Sequence, residues 1–242
     1  MTDVDAIVLD HGGGAMLQEC LDSIHAQTVA PRRIIIFDNG SPVPTSVRGN
    51  VEIIRSETNL GFAGGANAAM RHATAPLVAL INNDVVLDPD WLETVLGAIT
   101  SSAFERVAAA QTILRRDAQT IDGAGIDLSD GTIRQLGHGL PLGAPLPQAW
   151  GVSATAALYR RELLRFDERF FAYYEDVELC ARLREGGWQM VVVPSAKATH
   201  RGSQSASIQA RRASEPCCGK TRSCWFRDVP HSVGSFRGCS ER

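Results

Sequence analysis

Residues 77–92, LVALINNDVVLDPDWL, join an apolar run to an amphipathic segment through a polar turn. Leu77–Ile81 is apolar throughout, as expected of a strand that is covered on both faces. Asp88 is predicted to cap a helix that has Pro89 at its first position. The apolar residues that follow recur at helical spacing and predict a buried stripe of Leu92, Val95, Leu96 and Ile99.

Alternation of strands and helices continues on both sides of this stretch. Apolar runs rich in β-branched residues predict further strands at residues 4–9, 33–37, 51–54, 107–114 and 190–193. Apolar residues at helical spacing predict helices around residues 17–24, in 64–73, and from Glu175 to the glycines at 186–187. We therefore predict an α/β fold, a single domain whose mostly parallel central sheet is flanked by helices.

Composition narrows the possible classes of protein. The chain has 242 residues, 44% of them hydrophobic, and a net charge of −3, which argues against a nucleic-acid partner. The first ten residues carry acids where a signal peptide needs basic residues, and no apolar run has membrane-spanning length. We expect a cytoplasmic protein.

The six cysteines lack zinc-ligand spacing, and we expect no disulfide framework.

The last part of the chain differs in kind from the rest. It is rich in serine, cysteine and basic residues, has few aliphatic residues, and shows neither helical nor strand periodicity. Such a segment cannot bury enough apolar surface to fold by itself. We expect residues 1–205 to form the folded domain and residues 206–242 to form an atypical, disordered tail.

Polar residues follow several of the predicted strands. Asp10 and Asp38 follow the first two, Asn82-Asn83-Asp84 follows the strand at 77–81, and His200 follows the last. A single aspartate in such a position is more often a turn residue. Ligands of open parallel sheets, however, bind beyond the carboxyl ends of the strands. Asp84 together with His200 therefore indicates a site for a divalent metal and a diphosphate.

Two adjacent acids, Glu175 and Asp176, begin the helix in YYEDVELCARLREGGW, residues 173–188. Acids in a first helical turn can cap free N–H groups and complement the helix dipole, which is the simpler interpretation. Because aromatic residues precede them, a carboxylate in a partly dry cleft that accepts a proton is the second interpretation. These residues alone leave both interpretations open.

Five segments in this order resemble the family 2 glycosyltransferases of GT-A fold, in particular their rhamnosyltransferase-like branch: IIIFDNGS, NLGFAGGANAAM, LINNDVVLDPDWL, FDERFFAYYEDVELCARLREGGW and VPSAKATH. The resemblance covers about residues 4–205. It implies transfer of a sugar from a UDP- or dTDP-linked donor to an acceptor hydroxyl, with inversion at the anomeric carbon. It also implies Mg²⁺ or Mn²⁺ as cofactor and a glycan or lipid-linked acceptor in cell-surface polysaccharide synthesis. Peripheral association with the inner face of the membrane is left open, as is the oligomeric state.

The resemblance also assigns roles to individual residues. Asp176 matches the catalytic base, with Glu175 beside it, and Asp84 and His200 match metal ligands. Seven residues are expected at the nucleotide: Asp10, Asp38, Asn59, Gly61, Gly64, Asn67 and Asn83. Four are expected at the acceptor or sugar: Trp150, Tyr173, Tyr174 and Glu178. A base beside a second acid and aromatic walls is expected to have a raised pKa.

The loop after the first strand departs from the family pattern. It reads Asp10-His11-Gly12-Gly13-Gly14, and three glycines are expected to loosen the part of the site that frames the nucleotide base. The metal motif Asn82-Asn83-Asp84 contains a single carboxylate. Two alternatives therefore stay open beside the transferase: a nucleotidyltransferase, and a degenerate, non-catalytic remnant that binds nucleotide-sugar.

Overall fold

The structure is a computed structural model that describes residues 2–101, 106–128 and 131–201. The tail expected at residues 206–242 lies outside the described residues. Within them the chain forms four α-helices: α1 (Gly14–His25), α2 (Gly61–Met70), α3 (Trp91–Thr100) and α4 (Glu175–Glu185). The strands are β1 (Val4–Asp10), β2 (Arg33–Asn39), β3 (Glu52–Ser56), β4 (Leu77–Asn82), β5 (Val85–Leu87), β6 (Val107–Arg115), β7 (Ile121–Gly123), β8 (Ile126–Asp127), β9 (Arg134–Gln135), β10 (Ala156–Arg160) and β11 (Gln189–His200).

One large sheet organises the domain, in the order β3-β2-β1-β4-β10-β6-β11-β5, with β7 paired to β6. Strands β1, β2, β3 and β4 are parallel to their neighbours within that group, and β6 is parallel to β11. Strand β10 runs antiparallel between β4 and β6, and β5 runs antiparallel to β11. The predicted mostly parallel sheet is confirmed. A separate two-stranded sheet pairs β8 with β9.

Helices cover both faces of the large sheet. Helices α1 and α3 contribute to the core on one face, and α2 and α4 contribute to the core on the other. In α1 the four residues at helical spacing, Leu17, Cys20, Leu21 and Ile24, are all buried, as their spacing predicts. Full burial of a side chain such as Leu21 contributes about 1.5–3 kcal/mol.

Helix α3 begins two residues later than predicted. Its first residue is Trp91, and Asp88 does not cap it, because the Asp88 carboxylate accepts a hydrogen bond from Arg115 at the end of β6. Leu92, Val95 and Ile99 are buried as expected, whereas Leu96 is only partly buried. A partner from a distant strand therefore outcompeted local capping.

The antiparallel strands that the sequence does not predict include β5 and β10. Strand β5 has only three residues and follows the polar turn directly. Strand β10 reads AALYR and contains no β-branched residue, so it lacks the usual strand signal. Because β10 runs opposite to β4, Ala156 pairs with Ile81, and the segment before β10 lies at the carboxyl end of β4.

Candidate active site

Asp10 connects three loops at the carboxyl edge of the sheet. Its carboxylate is buried and accepts hydrogen bonds from Gly13 N at 2.9 Å, Asn83 Nδ2 at 2.6 Å and Thr45 Oγ1 at 2.6 Å. The parallel pairing of β1 with β2 also places Asp10 beside Asp38. Residues from the ends of β1, β2 and β4 are thus brought together, as expected for an open parallel sheet.

The glycines after β1 tighten this loop rather than loosen it, contrary to the sequence-based expectation. Gly12 has a φ of +74° and donates from its backbone N–H to Ser41 Oγ at 2.8 Å. A Cβ on Gly13 would lie 2.4 Å from Asn83 Nδ2 and 2.6 Å from Asp10 Oδ1. A side chain at Gly13 would therefore break the bond between Asp10 and Asn83.

Asp38 shapes the loop that follows β2. Its Oδ1 accepts from Ser41 N at 2.9 Å, and its Oδ2 accepts from Thr45 N at 3.0 Å and from the Arg55 guanidinium. Burial alone would raise the pKa of Asp38, but these hydrogen bonds outweigh it and lower the pKa to about 2. The carboxylate is charged and 1% exposed, so in this conformation it faces its own loop.

The start of α2 is fastened to the end of β2. Asn39 Nδ2 donates to Asn59 Oδ1 at 3.2 Å and to the Gly61 carbonyl at 2.9 Å, and Asn59 Oδ1 accepts from Gly61 N at 2.8 Å. Gly61 has a φ of +75°, and a Cβ there would lie 2.2 Å from the Phe171 carbonyl oxygen. Gly64 is less restricted, since its Cβ would meet only Leu60 Cβ, at 3.1 Å.

Asn67 lies further along α2, about 9 Å along the helix axis from Gly61. Its Nδ2 donates to the Phe166 carbonyl at 2.8 Å and to Glu168 Oε1 at 3.0 Å, and its Oδ1 accepts from Phe166 N at 3.0 Å. These bonds hold the segment that leads to α4. The structure therefore groups Asn67 with that segment and not with the ends of β1, β2 and β4.

Asp84 and His200 lie together although they are far apart in the sequence. Antiparallel pairing places His200, at the end of β11, opposite Val85. His200 Nε2 is 3.3 Å from Asp84 Oδ2, and both side chains are largely buried. Asp84 Oδ1 is buried and has no hydrogen-bond partner within the described part of the chain. An unpaired buried carboxylate oxygen is costly unless something binds it.

Asp122, on β7, is a site residue that the sequence did not reveal. Its Oδ2 accepts from His200 Nδ1 at 2.7 Å. Burial would lower the pKa of His200, but the bonds to Asp122 and Asp84 raise it to about 9. The same bond to His200 lowers the pKa of Asp122. Asp122 lies in a three-residue strand within a region that has no clear periodicity, so only the structure shows it.

These residues fit a divalent cation as part of its coordination shell. Mg²⁺ and similar ions bind one or two carboxylates together with substrate phosphates and water. The unpaired Oδ1 of Asp84 and the adjacent Nε2 of His200 can supply two ligands, provided that the metal displaces the Nε2 proton. Over residues 2–101, 106–128 and 131–201, no group of three His, Cys, Asp or Glu side chains could hold a metal. A diphosphate and water would therefore have to complete the shell.

Glu175, which is buried, and Asp176, which is half-buried, form an acid pair at the start of α4. Asp176 Oδ1 accepts from Val177 N at 2.8 Å, and the Asp176 carboxylate also accepts from Ala154 N. Glu175 Oε2 is buried and has no hydrogen-bond partner among the described residues. Burial raises the pKa of both groups, and for Glu175 the charge of Asp176 raises it further. The direction agrees with the raised pKa expected from the sequence.

The acid pair is connected to the end of β4 through the backbone. Ala154 donates to Asp176, and the carbonyl of the next residue, Thr155, accepts from Asn82 N at 2.9 Å. Asn82 is two residues before Asp84. The acid pair therefore lies at the same edge of the sheet as Asp10, Asp84 and the loops described above.

Two exposed tyrosines immediately precede the acids. Tyr173 and Tyr174 both have a φ of +70° and, of the residues that the structure describes, are the only non-glycine residues with positive φ. This left-handed conformation costs about 1–2 kcal/mol per residue. Such strain is found preferentially at functional sites. Tyr173 is 43% exposed and Tyr174 is 38% exposed, so a substrate could reach them.

Trp150 and Glu178 contact arginines of α4. The Arg184 guanidinium lies 5.4 Å from the centre of the Trp150 ring, and Arg184 Nε donates to the Trp150 carbonyl at 2.6 Å. Arg184 is about 12 Å along the helix axis from Asp176. Glu178 accepts two bonds from Arg182, at 3.0 and 2.9 Å. The structure thus places Trp150 at the far end of α4 and gives Glu178 an internal partner.

Comparison of sequences shows which proteins the chain is similar to. Residues 7–166 match the family model described as Glycosyl transferase family 2. The chain is 26% identical over 254 residues to an N-acetylglucosaminyl-diphospho-decaprenol L-rhamnosyltransferase of Mycobacterium tuberculosis (strain H37Rv), covering 85% of this chain and 78% of the relative. It is 26% identical over 179 residues to a pre-mycofactocin glycosyltransferase of the same strain, covering 69% of this chain and 37% of that protein.

Comparison of structures shows a shared fold. GalNAc-T7, solved with UDP, GalNAc and Mn²⁺, superposes with a TM-score of 0.63 at 14% identity, and 81% of this chain covers 43% of that chain. The mannosyltransferase PcManGT from Pyrobaculum calidifontis, solved with GDP-Man and Mn²⁺, gives 0.62 at 18% identity, with 87% of this chain covering 61% of that one. The chain thus spans under two thirds of either structure.

None of the helices in the described segments is long and apolar enough to cross a membrane.

Proposed function

Because the chain belongs to glycosyl transferase family 2, is similar to its rhamnosyltransferases and has the GT-A fold, we propose an inverting sugar transfer as its reaction. The donor in this proposal is a UDP- or dTDP-linked sugar, and the acceptor is a hydroxyl of a glycan or lipid-linked glycan in cell-surface polysaccharide synthesis. The name of the mycobacterial relative, an N-acetylglucosaminyl-diphospho-decaprenol L-rhamnosyltransferase, supports a lipid-linked acceptor. We place the reaction in the cytoplasm, with peripheral contact at the inner face of the membrane.

One observation carries the proposal: the acid pair at the start of α4 lies at the same sheet edge as Asp84 and His200. An inverting transfer needs one carboxylate that removes the proton from the acceptor hydroxyl as that oxygen attacks. Asp176 is held in place by two backbone N–H groups and is partly exposed, so it can meet an acceptor. Burial raises its pKa, which makes the ionised carboxylate a stronger base than an exposed aspartate.

Glu175 supports Asp176 in this mechanism without touching the acceptor. It is more deeply buried, and its pKa is raised further because Asp176 is charged. Because the pKa of each acid is raised, the two carboxyl groups can share a proton near neutral pH, which leaves one of them ionised as the base. The ionised partner is then available at each turnover.

Asp84 and His200 would hold Mg²⁺ or Mn²⁺, which when bound neutralises the charge of the departing diphosphate. The Mn²⁺ in the solved structures of GalNAc-T7 and PcManGT supports a divalent ion. Asp10 and Asp38 are each 1% exposed and would act through the loops that they hold, which frame the nucleotide. Gly61 and Asn59 would shape the neighbouring wall by fixing the start of α2.

The exposed rings of Tyr173 and Tyr174 would face the acceptor beside the base. Both residues have a strained backbone, are exposed and directly precede the acid pair in the chain. An aromatic surface next to a buried carboxylate suits a sugar ring, whose apolar face can stack while its hydroxyl approaches Asp176. Trp150 and Glu178 lack this placement and would contribute only if an acceptor extended along α4.

The test is incubation with labelled UDP- and dTDP-sugars in the presence of Mn²⁺ or Mg²⁺, with and without glycan acceptors. We expect transfer, or slow hydrolysis without an acceptor, and NMR of the product should show the opposite anomeric configuration from the donor. Retained configuration would contradict the inverting mechanism. Donor binding without any turnover would favour the degenerate remnant, and formation of new sugar nucleotides from nucleoside triphosphates would favour a nucleotidyltransferase.

A further inference from the structure

We propose that Asp122 is a positioning residue that fixes the imidazole of His200 and directs its Nε2 toward Asp84 and the metal. The inference rests on the metal site of the proposed function. Asp122 is on β7, which among the described strands pairs only with β6. It contacts His200 from this short strand, which supplies no other residue of the site.

The two ring nitrogens of His200 have different partners. Nδ1 donates to Asp122 Oδ2 at 2.7 Å, whereas Nε2 lies 3.3 Å from Asp84 Oδ2. The two carboxylates therefore lie on opposite sides of the ring, and rotation of the ring by a half turn would break both contacts. With Nδ1 carrying the proton for Asp122, Nε2 is the nitrogen available to a metal.

Asp122 is itself anchored by a second layer of contacts. His138 Nδ1 donates to the Asp122 carbonyl at 2.7 Å, and Arg116 Nη2 donates to His138 Nε2 at 2.8 Å. A guanidinium nitrogen of Arg116 also lies 3.6 Å from Asp122 Oδ1. The backbone carbonyl of Asp122 is thus bound by His138, and Oδ1 of its carboxylate lies near Arg116. These contacts fix the direction in which Asp122 presents Oδ2 to His200.

This arrangement has the chemistry of a support for a metal ligand. A histidine that binds a metal commonly donates its other N–H to a carboxylate, which sets the tautomer and the orientation of the ring. Removing such a partner typically weakens metal binding about 10–100-fold. Asp122 does not need to touch the metal for this effect, because it acts through His200.

The test compares Asp122→Asn with Asp117→Asn as a matched control. Asp117→Asn removes the same charge from the same region. Asp117 is exposed and accepts from the backbone N–H groups of Gln119 and Thr120 and from the Thr120 side chain, and an asparagine amide oxygen can also accept these bonds. Mn²⁺ affinity is measured by electron paramagnetic resonance of free Mn²⁺ in the presence of UDP, on full-length protein. We expect Asp122→Asn to raise the Kd for Mn²⁺ about 10–100-fold and Asp117→Asn to leave it unchanged.

A second measurement keeps the inference testable if Asp122→Asn does not fold. In ¹⁵N-histidine-labelled wild-type protein with Mg²⁺ and UDP, NMR should show a protonated Nδ1 and a metal-bound Nε2 for His200. Metal bound through Nδ1, or equal Mn²⁺ affinity in Asp122→Asn and wild type, would overturn the role of Asp122 alone. Wild-type protein that binds no Mn²⁺ with UDP would overturn the metal site itself and this inference with it.

Discussion

The pKa values of individual carboxyl groups in this domain are shifted in opposite directions by their neighbours. Asp5 and Asp38 are buried, yet hydrogen bonds from guanidinium and backbone N–H groups keep the pKa of each well below its usual range. Glu175 is buried and Asp176 is half-buried, neither has a cationic partner among the described residues, and the pKa of each is raised. The first kind of carboxylate holds loops in place, and the second kind can exchange a proton near neutral pH.

Replacing Asp176 with asparagine should separate catalysis from folding. We expect Asp176→Asn to lower the transfer rate about 10²-fold or more, since the variant cannot accept the acceptor proton. UDP binding and the melting temperature should change little, because the amide can still accept from Val177 N. Glu178→Gln on the same helix is the control and should keep its activity. A fully active Asp176→Asn enzyme would refute the assignment of the base.

Glu175 should make the stability of the domain depend on pH. The folded state binds the Glu175 proton more tightly than the unfolded chain does, because the pKa is raised on folding. The free energy of unfolding should therefore fall as the pH rises from the ordinary glutamate range, about 4.3, through the raised pKa. Glu175→Gln has no such proton, so its stability relative to wild type should increase between about pH 5 and pH 8.

Urea unfolding of wild type, Glu175→Gln and Glu178→Gln at about pH 5 and about pH 8 measures how the stability difference changes with pH. Glu178 is paired to Arg182, and its substitution should leave the pH dependence of wild type in place. If the stability difference between Glu175→Gln and wild type stayed constant with pH, the raised pKa of Glu175 would be contradicted.

At the scale of helices and strands, the sequence predicts those elements whose signal is local. The stripe of α1 and the apolar run of β4 follow from periodicity and are confirmed. The start of α3 was misplaced because Arg115, from a distant strand, takes the carboxylate of Asp88. Strand β10 was missed because its alanines form a strand only through pairing with β4 and β6. Asp122 could not be predicted for the same reason, since its partner His200 comes from the last strand.

Gly61 joins α2 to the segment before α4, and substitution there should damage both elements. Gly61→Ala meets a φ of +75° and places a Cβ 2.2 Å from the Phe171 carbonyl oxygen. The left-handed conformation alone should cost about 1–2 kcal/mol, and the displaced segment should lower the transfer rate as well. Gly97→Ala in α3 is the control: its Cβ meets no atom within 4 Å, and it should stabilise the protein by about 0.5–1 kcal/mol.

Thermal unfolding and transfer rates of the two alanine variants check this prediction. The structural account of Gly61 requires a lower melting temperature for Gly61→Ala and a higher one for Gly97→Ala. Equal melting temperatures would show that the contact between Gly61 and Phe171 does not constrain the folded chain.

For the whole molecule, metal and nucleotide should bind as one unit. Asp84 and His200 offer only part of a coordination shell, so Mn²⁺ alone or UDP alone should stabilise the protein little. Together at about 100 times their Kd they should add about 2.7 kcal/mol, a rise in melting temperature of roughly 5–10 °C for a domain of this size. Asp84→Asn should abolish the rise and Asp176→Asn should keep it. Equal stabilisation by UDP in the presence of a chelator would contradict the prediction.

The position of His200 at the end of the last described strand also bears on how the protein is made. Asp10, Asp38 and Asp84 leave the ribosome early, whereas His200 follows only after β6, β10 and α4. Contacts between residues so distant in sequence form late, since the intervening chain must first be closed into a loop. A nascent chain arrested before β11 would therefore contain most of the sheet but no paired metal ligands. Capture of Mn²⁺ would then report completion of the domain during translation, since it could begin only after synthesis had passed residue 200.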